Sequence, residues 1–120
     1  MTGDAMAVHE SDVGDVRLLE VFGELDLATA PRLCSLLDAA RIQRVRRLVV
    51  DLTGVDFCDS TGLRALIGAV KEVDVLGGRA VLALESGGML DQLLDLSGLS
   101  EFLRVTDSVE AAARRLAARP

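Results

Sequence analysis

The sequence predicts an α/β fold, and three observations carry that expectation. Residues 48–52, Leu-Val-Val-Asp-Leu, read as a buried strand, and residues 80–84 read as another. Between them, Leu63, Leu66, Ile67 and Val70 fall on one face of a helix. Such alternation of strand and helix calls for a layered sheet that is at least partly parallel. The third observation is size: 120 residues, with no sustained repeat or low-complexity linker, suit one continuous domain.

The elements follow in order. Residues 6–11 form an edge strand of low apolar content, and Val13-Gly14-Asp15 turns the chain into a strand over residues 16–23, giving an antiparallel hairpin. A helix starts at Thr29-Ala30-Pro31, where proline fits the first turn, and buries Leu33, Leu36, Leu37 and Ala40. A strand over residues 47–52 comes next. A helix then runs from the junction at Ser60 to about Val75, and Gly77-Gly78 returns the chain to the strand at 80–84. Gly87-Gly88 precedes a short helix holding Met89, Leu90, Leu93 and Leu94, whose packing is core or a small apolar lid. Residues 102–105 add a final strand. Asp107-Ser108-Val109-Glu110 has capping-box spacing before a last helix with Val109, Ala112, Ala113 and Leu116 turned inward.

Composition excludes several function classes. A formal net charge of −6 argues against DNA binding as a primary task and favours attraction to a basic partner surface. The basic run Arg41, Arg44, Arg46 and Arg47 reads as a solvated helix end and loop, a place where arginine complements the helix dipole. Half the residues are apolar, yet no apolar run is long enough to cross a membrane. The first residues lack a basic leader and apolar segment, so the expected location is the cytoplasm. Cys34 and Cys58 lack metal-ligand spacing and suit packing positions in a reducing compartment, and His9, the one histidine, reads as unspecialised.

Function concentrates at residues 55–63, Val-Asp-Phe-Cys-Asp-Ser-Thr-Gly-Leu, where a small hydroxyl cluster stands between a strand and a helix. Asp59 or Ser60 caps that helix, and the amides at its start favour negative charge. Gly62 leaves space in the first turn. A phosphate on Ser60 is therefore locally tolerable and would change how the surface meets another protein. Catalysis is not expected: Ser60 and Asp59 lack a base to activate the hydroxyl and an organised oxyanion site. No glycine-rich phosphate loop with a lysine is present, and neither a cofactor nor a metal is expected.

Three segments carry a resemblance: Gly23-Glu24-Leu25-Asp26 after an early strand, Val49-Val50-Asp51-Leu52 before the junction, and Asp59-Ser60-Thr61-Gly62-Leu63 at the helix start. Together with the element order they make residues 6–118 resemble the STAS domain of the bacterial anti-sigma factor antagonist group, with residues 1–5 a flexible N-terminal segment. The resemblance implies a small mixed β-sheet of four to five strands covered by about four helices. It implies an unphosphorylated protein that binds an anti-sigma factor serine kinase and releases the sigma factor, with ATP on the kinase and a phosphoserine phosphatase to reset the switch.

The family's phosphoacceptor falls on Ser60, with Thr61 beside it and Asp26 matching the acidic residue of the early loop. Asp26, Asp59, Ser60, Thr61 and Arg64 form the expected partner-binding set, and Gly62 is structural. Cys58 stands where many relatives have a larger apolar residue. The free chain is expected to be monomeric, without direct contact to nucleic acid or membrane. On residue chemistry alone Ser60 reads first as an ordinary cap and Arg64 as a solvated charge, while Asp26 reads as a recognition group or a turn stabiliser. The alternative function is a nonphosphorylated STAS interaction module in another bacterial signalling assembly.

Overall fold

A computed structural model describes residues 6–98 and 105–117. Nine elements alternate along these residues: β1 (Met6–Val13), β2 (Val16–Leu25), α1 (Ala30–Ile42), β3 (Arg47–Cys58), α2 (Ser60–Val75), β4 (Arg79–Ala83), α3 (Met89–Ser97), β5 (Val105–Thr106) and α4 (Val109–Ala117). The strands form one sheet in the order β1-β2-β3-β4-β5, antiparallel between β1 and β2 and parallel thereafter. The expected mixed sheet of four to five strands under about four helices is therefore observed. The expected segment 1–5, residue 118 and most of the expected strand 102–105 lie outside the described residues.

Alternation along the strands divides the core into two layers. Leu48, Val50 and Leu52 of β3 and Leu82 of β4 pack toward Leu33 and Leu37 of α1, Leu66 and Val70 of α2, and Leu90 and Leu94 of α3. Their neighbours Val49 and Val81 point to the opposite face, where Ala112 and Leu116 of α4 cover them. Ala113, expected inside, is exposed, because α4 meets the sheet along a single narrow stripe.

Beyond shifts of one or two residues at the ends of β1, β2 and β4, two boundaries differ from expectation. β3 continues six residues beyond Leu52 to Cys58, although Thr53, Gly54 and Asp56 look like the end of a strand. Pairing with β2 holds this extension through two bulges. Asp51 to Gly54 stands opposite Glu20 to Phe22, and Val55 to Phe57 opposite Gly23 to Glu24, so β3 absorbs one extra residue each time. At α4, the cap falls on Ser108, whose Oγ accepts from the Ala111 amide at 3.0 Å; the expected pairing of Asp107 with Glu110 is one residue out of phase with the helix start.

Candidate functional site

The parallel strands β2 and β3 end side by side, with Leu25 opposite Cys58 as their last pair. The Asp59 amide donates to the Leu25 carbonyl at 3.2 Å, so the two chains leave the sheet together. Their loops meet beyond the C-terminal ends of the parallel strands, the edge at which open α/β sheets present functional groups.

Asp59 is the N-cap of α2. Its backbone is extended (φ −96°, ψ 174°) and its side chain accepts from the Gly62 amide at 2.7 Å. The Leu63 amide donates to the Asp59 carbonyl at 3.0 Å and closes the first turn. This division of labour removes Ser60 from capping. Ser60 is the first helical residue, it is exposed, and its hydroxyl has no hydrogen-bond partner among the described residues. Thr61 is exposed beside it.

Gly62 is buried against the backbone of the other loop. A Cβ there would lie 2.4 Å from the Leu25 carbonyl oxygen and 3.0 Å from the Asp26 amide nitrogen. Backbone on both sides leaves nothing able to rotate away, so the start of α2 sits on the β2–α1 loop only because residue 62 lacks a side chain.

That loop is itself a tight hydrogen-bonded turn. Asp26 Oδ1 accepts from the amides of Ala28 at 3.0 Å and Thr29 at 3.1 Å. The Thr29 hydroxyl accepts from the Asp26 amide at 3.0 Å and donates its single proton to the Glu24 carbonyl at 2.7 Å, the nearer of its two acceptors. Asp26 is half-buried, and its carboxylate holds the turn from one oxygen. The structure thus gathers Asp26, Asp59, Ser60, Thr61 and Gly62 at one place. Arg64 follows one turn later on α2, exposed and without a side-chain partner among the described residues.

Cys58 lies beneath these carboxylates and is 4% exposed. Burial, followed by the charges of Asp59 and Asp26, pushes its thiol up to about 11. It is therefore a protonated space filler at neutral pH and not a nucleophile. Asp51, the one charged residue buried among those described, uses Oδ1 to accept from the Thr53 amide at 3.0 Å and hydroxyl at 2.6 Å, which fixes the first bulge of β3.

Sequence reading passed over two side chains here. Leu27, next to Asp26, is 70% exposed, and Phe57, three residues before Ser60, is 46% exposed. The signal available was their placement beside polar loop residues rather than within an apolar run. Among the described residues no group of three or more His, Cys, Asp or Glu side chains is arranged to hold a metal ion. No helix of the described residues is long and apolar enough to cross a membrane.

A family model described as the STAS domain matches residues 6–112. The anti-sigma-B factor antagonist of Listeria monocytogenes is 30% identical over 101 residues, covering 84% of this chain and 87% of that protein. The anti-sigma-B factor antagonist of Staphylococcus aureus is 29% identical over 92 residues, covering 77% and 84%. Among solved structures, an anti-sigma factor antagonist from Mycobacterium paratuberculosis superposes with a TM-score of 0.86 at 24% identity, covering 96% of this chain and 97% of that one. The Bacillus cell fate determinant SpoIIAA in its phosphorylated form gives a TM-score of 0.69 at 22% identity, covering 91% and 98%. At these identities the structural likenesses speak for the fold.

Proposed function

The chain belongs to the STAS domain family, and from that premise we propose that it is an anti-sigma factor antagonist switched by phosphorylation of Ser60. The unphosphorylated protein binds an anti-sigma factor serine kinase and releases the sigma factor; the kinase brings ATP, and a phosphoserine phosphatase restores the binding form. The chain receives chemistry and performs none. The domain spans residues 6–118, acts in the cytoplasm and is monomeric when free.

The observation that carries this reading is the Ser60 hydroxyl itself, exposed at the first position of α2 while Asp59 does the capping. A kinase can take it without breaking any hydrogen bond among the described residues. The phosphate adds about −1.5 to −2 charge at neutral pH. Locally the helix start favours that charge, and Arg64, four residues on, is within reach along the helix face. Across an interface the same group meets a surface that had accommodated a neutral hydroxyl between Asp26, Asp59 and Thr61. Each ~1.4 kcal/mol of lost complementarity weakens affinity tenfold, so a mismatch of a few kcal/mol suffices for a switch.

The test is reconstitution with a purified anti-sigma factor serine kinase and ATP. Expected are stable binding of the unmodified chain, one phosphate on Ser60 by intact mass and site mapping, and a much weaker complex afterwards. S60A should bind and stay bound. Binding unchanged by a phosphate on Ser60, or no transfer while a control serine substrate is modified, would replace the switch with a nonphosphorylated STAS interaction module.

A further inference from the structure

At the opposite end of the sheet, the C-terminal ends of α1 and α2 enclose a groove of about 320 Å³. Its rim carries Arg41, Arg44 and Arg46, and its apolar lining includes the buried Leu48 and Val73, the half-buried Val45 and the exposed Leu76; no carboxylate lines it. Arg41 is paired with Asp38 at 2.8 Å. Arg44 and Arg46 have no side-chain hydrogen bond or ion pair among the described residues, in a chain whose formal net charge is −6.

The backbone of Arg44 is the informative feature. Both helices end in the same motif. In α2 the Gly77 amide donates to Asp74 at 3.1 Å and the Gly78 amide to Val73 at 3.0 Å, with Gly77 left-handed at φ 89°. In α1 the Arg44 amide donates to Arg41 at 3.0 Å and the Val45 amide to Ala40 at 2.9 Å, with Arg44 left-handed at φ 63°. Glycine is the low-strain occupant of that position, and α2 uses it. Arg44 is the one non-glycine residue of positive φ among those described. Complementing the helix dipole does not require it, because Arg41 already stands in the last turn of α1. What strained residue 44 adds is a guanidinium at the mouth of an apolar groove.

We propose that this groove binds a small organic anion, its acidic head held by Arg44 and Arg46 and its apolar body on Val45, Val73 and Leu76. Guanidinium forks match carboxylate and phosphate heads alike, and the volume lies within the range of small-molecule sites. The site is separate from the Ser60 junction: the 12 residues of β3 between the two ends span roughly 35 Å at about 3.3 Å per residue. It does not depend on the switch proposed for Ser60.

The probe is octyl phosphate, titrated below its aggregation concentration into the isotope-labelled full chain and followed through backbone amide shifts. Saturable shifts centred on residues 44–46 and 76–78 are expected. Octanol and inorganic phosphate, each carrying half of the ligand's chemistry, should bind at least tenfold more weakly. Arg44→Gly should weaken octyl phosphate at least tenfold while its thermal midpoint is no lower than that of the parent, since glycine suits the left-handed backbone. Arg46→Ala, at an exposed position, should weaken it likewise. The absence of saturable shifts, shifts centred on the Ser60 end, or parent-like affinity in both variants would overturn the proposal.

Discussion

Gly62 and Leu25 are held so close that a Cβ on residue 62 would lie 2.4 Å from the Leu25 carbonyl oxygen. The contact joins the start of α2 to the loop carrying Asp26, and it is made between backbones that cannot repack. Gly62→Ala must therefore push the two loops apart. Overpacking of this kind costs about 1–3 kcal/mol, which should appear as a lower urea midpoint at unchanged slope. Full stability in G62A would show that the loops are less tightly docked than the distance implies.

Asp26 and Asp59 each hold backbone amides, so alanine at either position confounds recognition with folding. Loss of the Asp59 cap or of the Asp26 turn should cost about 1 kcal/mol, within a range of 0.5–2. Asparagine keeps an accepting oxygen and removes only the charge. We expect D26N and D59N to stay within about 0.5 kcal/mol of the parent in stability. Affinity for the proposed kinase partner that is lowered in the asparagine variants then reports charge recognition; affinity lost only with alanine assigns both residues to loop structure.

Leu27 offers a different handle on the same surface. It follows the pinned turn at Asp26 and is 70% exposed, so folding gains little from it. Leu27→Ser should leave stability within about 0.5 kcal/mol of the parent. An apolar side chain exposed on the loop that packs against the start of α2 is well suited to fill a partner pocket, and its truncation should weaken binding of the proposed kinase partner at least tenfold by calorimetry. Parent-like affinity would place Leu27 outside the interface.

How far the sequence reaches depends on whether a feature is local. The core faces of α1 and α2 are legible because Leu33, Leu37, Leu66 and Val70 recur at helical spacing, and the strand at residues 48–52 because it is apolar throughout. The second half of β3 is not, since Gly54 and Asp56 look like a turn until β2 pairs beside them through two bulges. At the site, the hydroxyl cluster and the need for a cap can be read directly, but not that Asp59 caps and frees Ser60. The reason for Gly62 lies in Leu25, 37 positions earlier in the chain. The left-handed Arg44 has no signature either, because its position is one where glycine is the usual signal.

Cys58 links the site to pH. Its thiol, raised from 9.0 to about 11 by burial and the nearby carboxylates, holds its proton more tightly in the folded than in the unfolded chain. The stabilisation is complete below the unfolded pKa near 9, and it declines as pH rises through the folded value near 11. Two pKa units correspond to about 3 kcal/mol at most, an order-of-magnitude bound. The chain has no tyrosine, which leaves few other groups titrating in this window. Cys58→Val removes the titrating group at similar volume, so its unfolding free energy should fall less steeply between pH 9 and 11 than that of the parent. Parallel pH profiles for the two proteins would mean that the thiolate is tolerated in the fold and that Cys58 is less enclosed than its 4% exposure indicates.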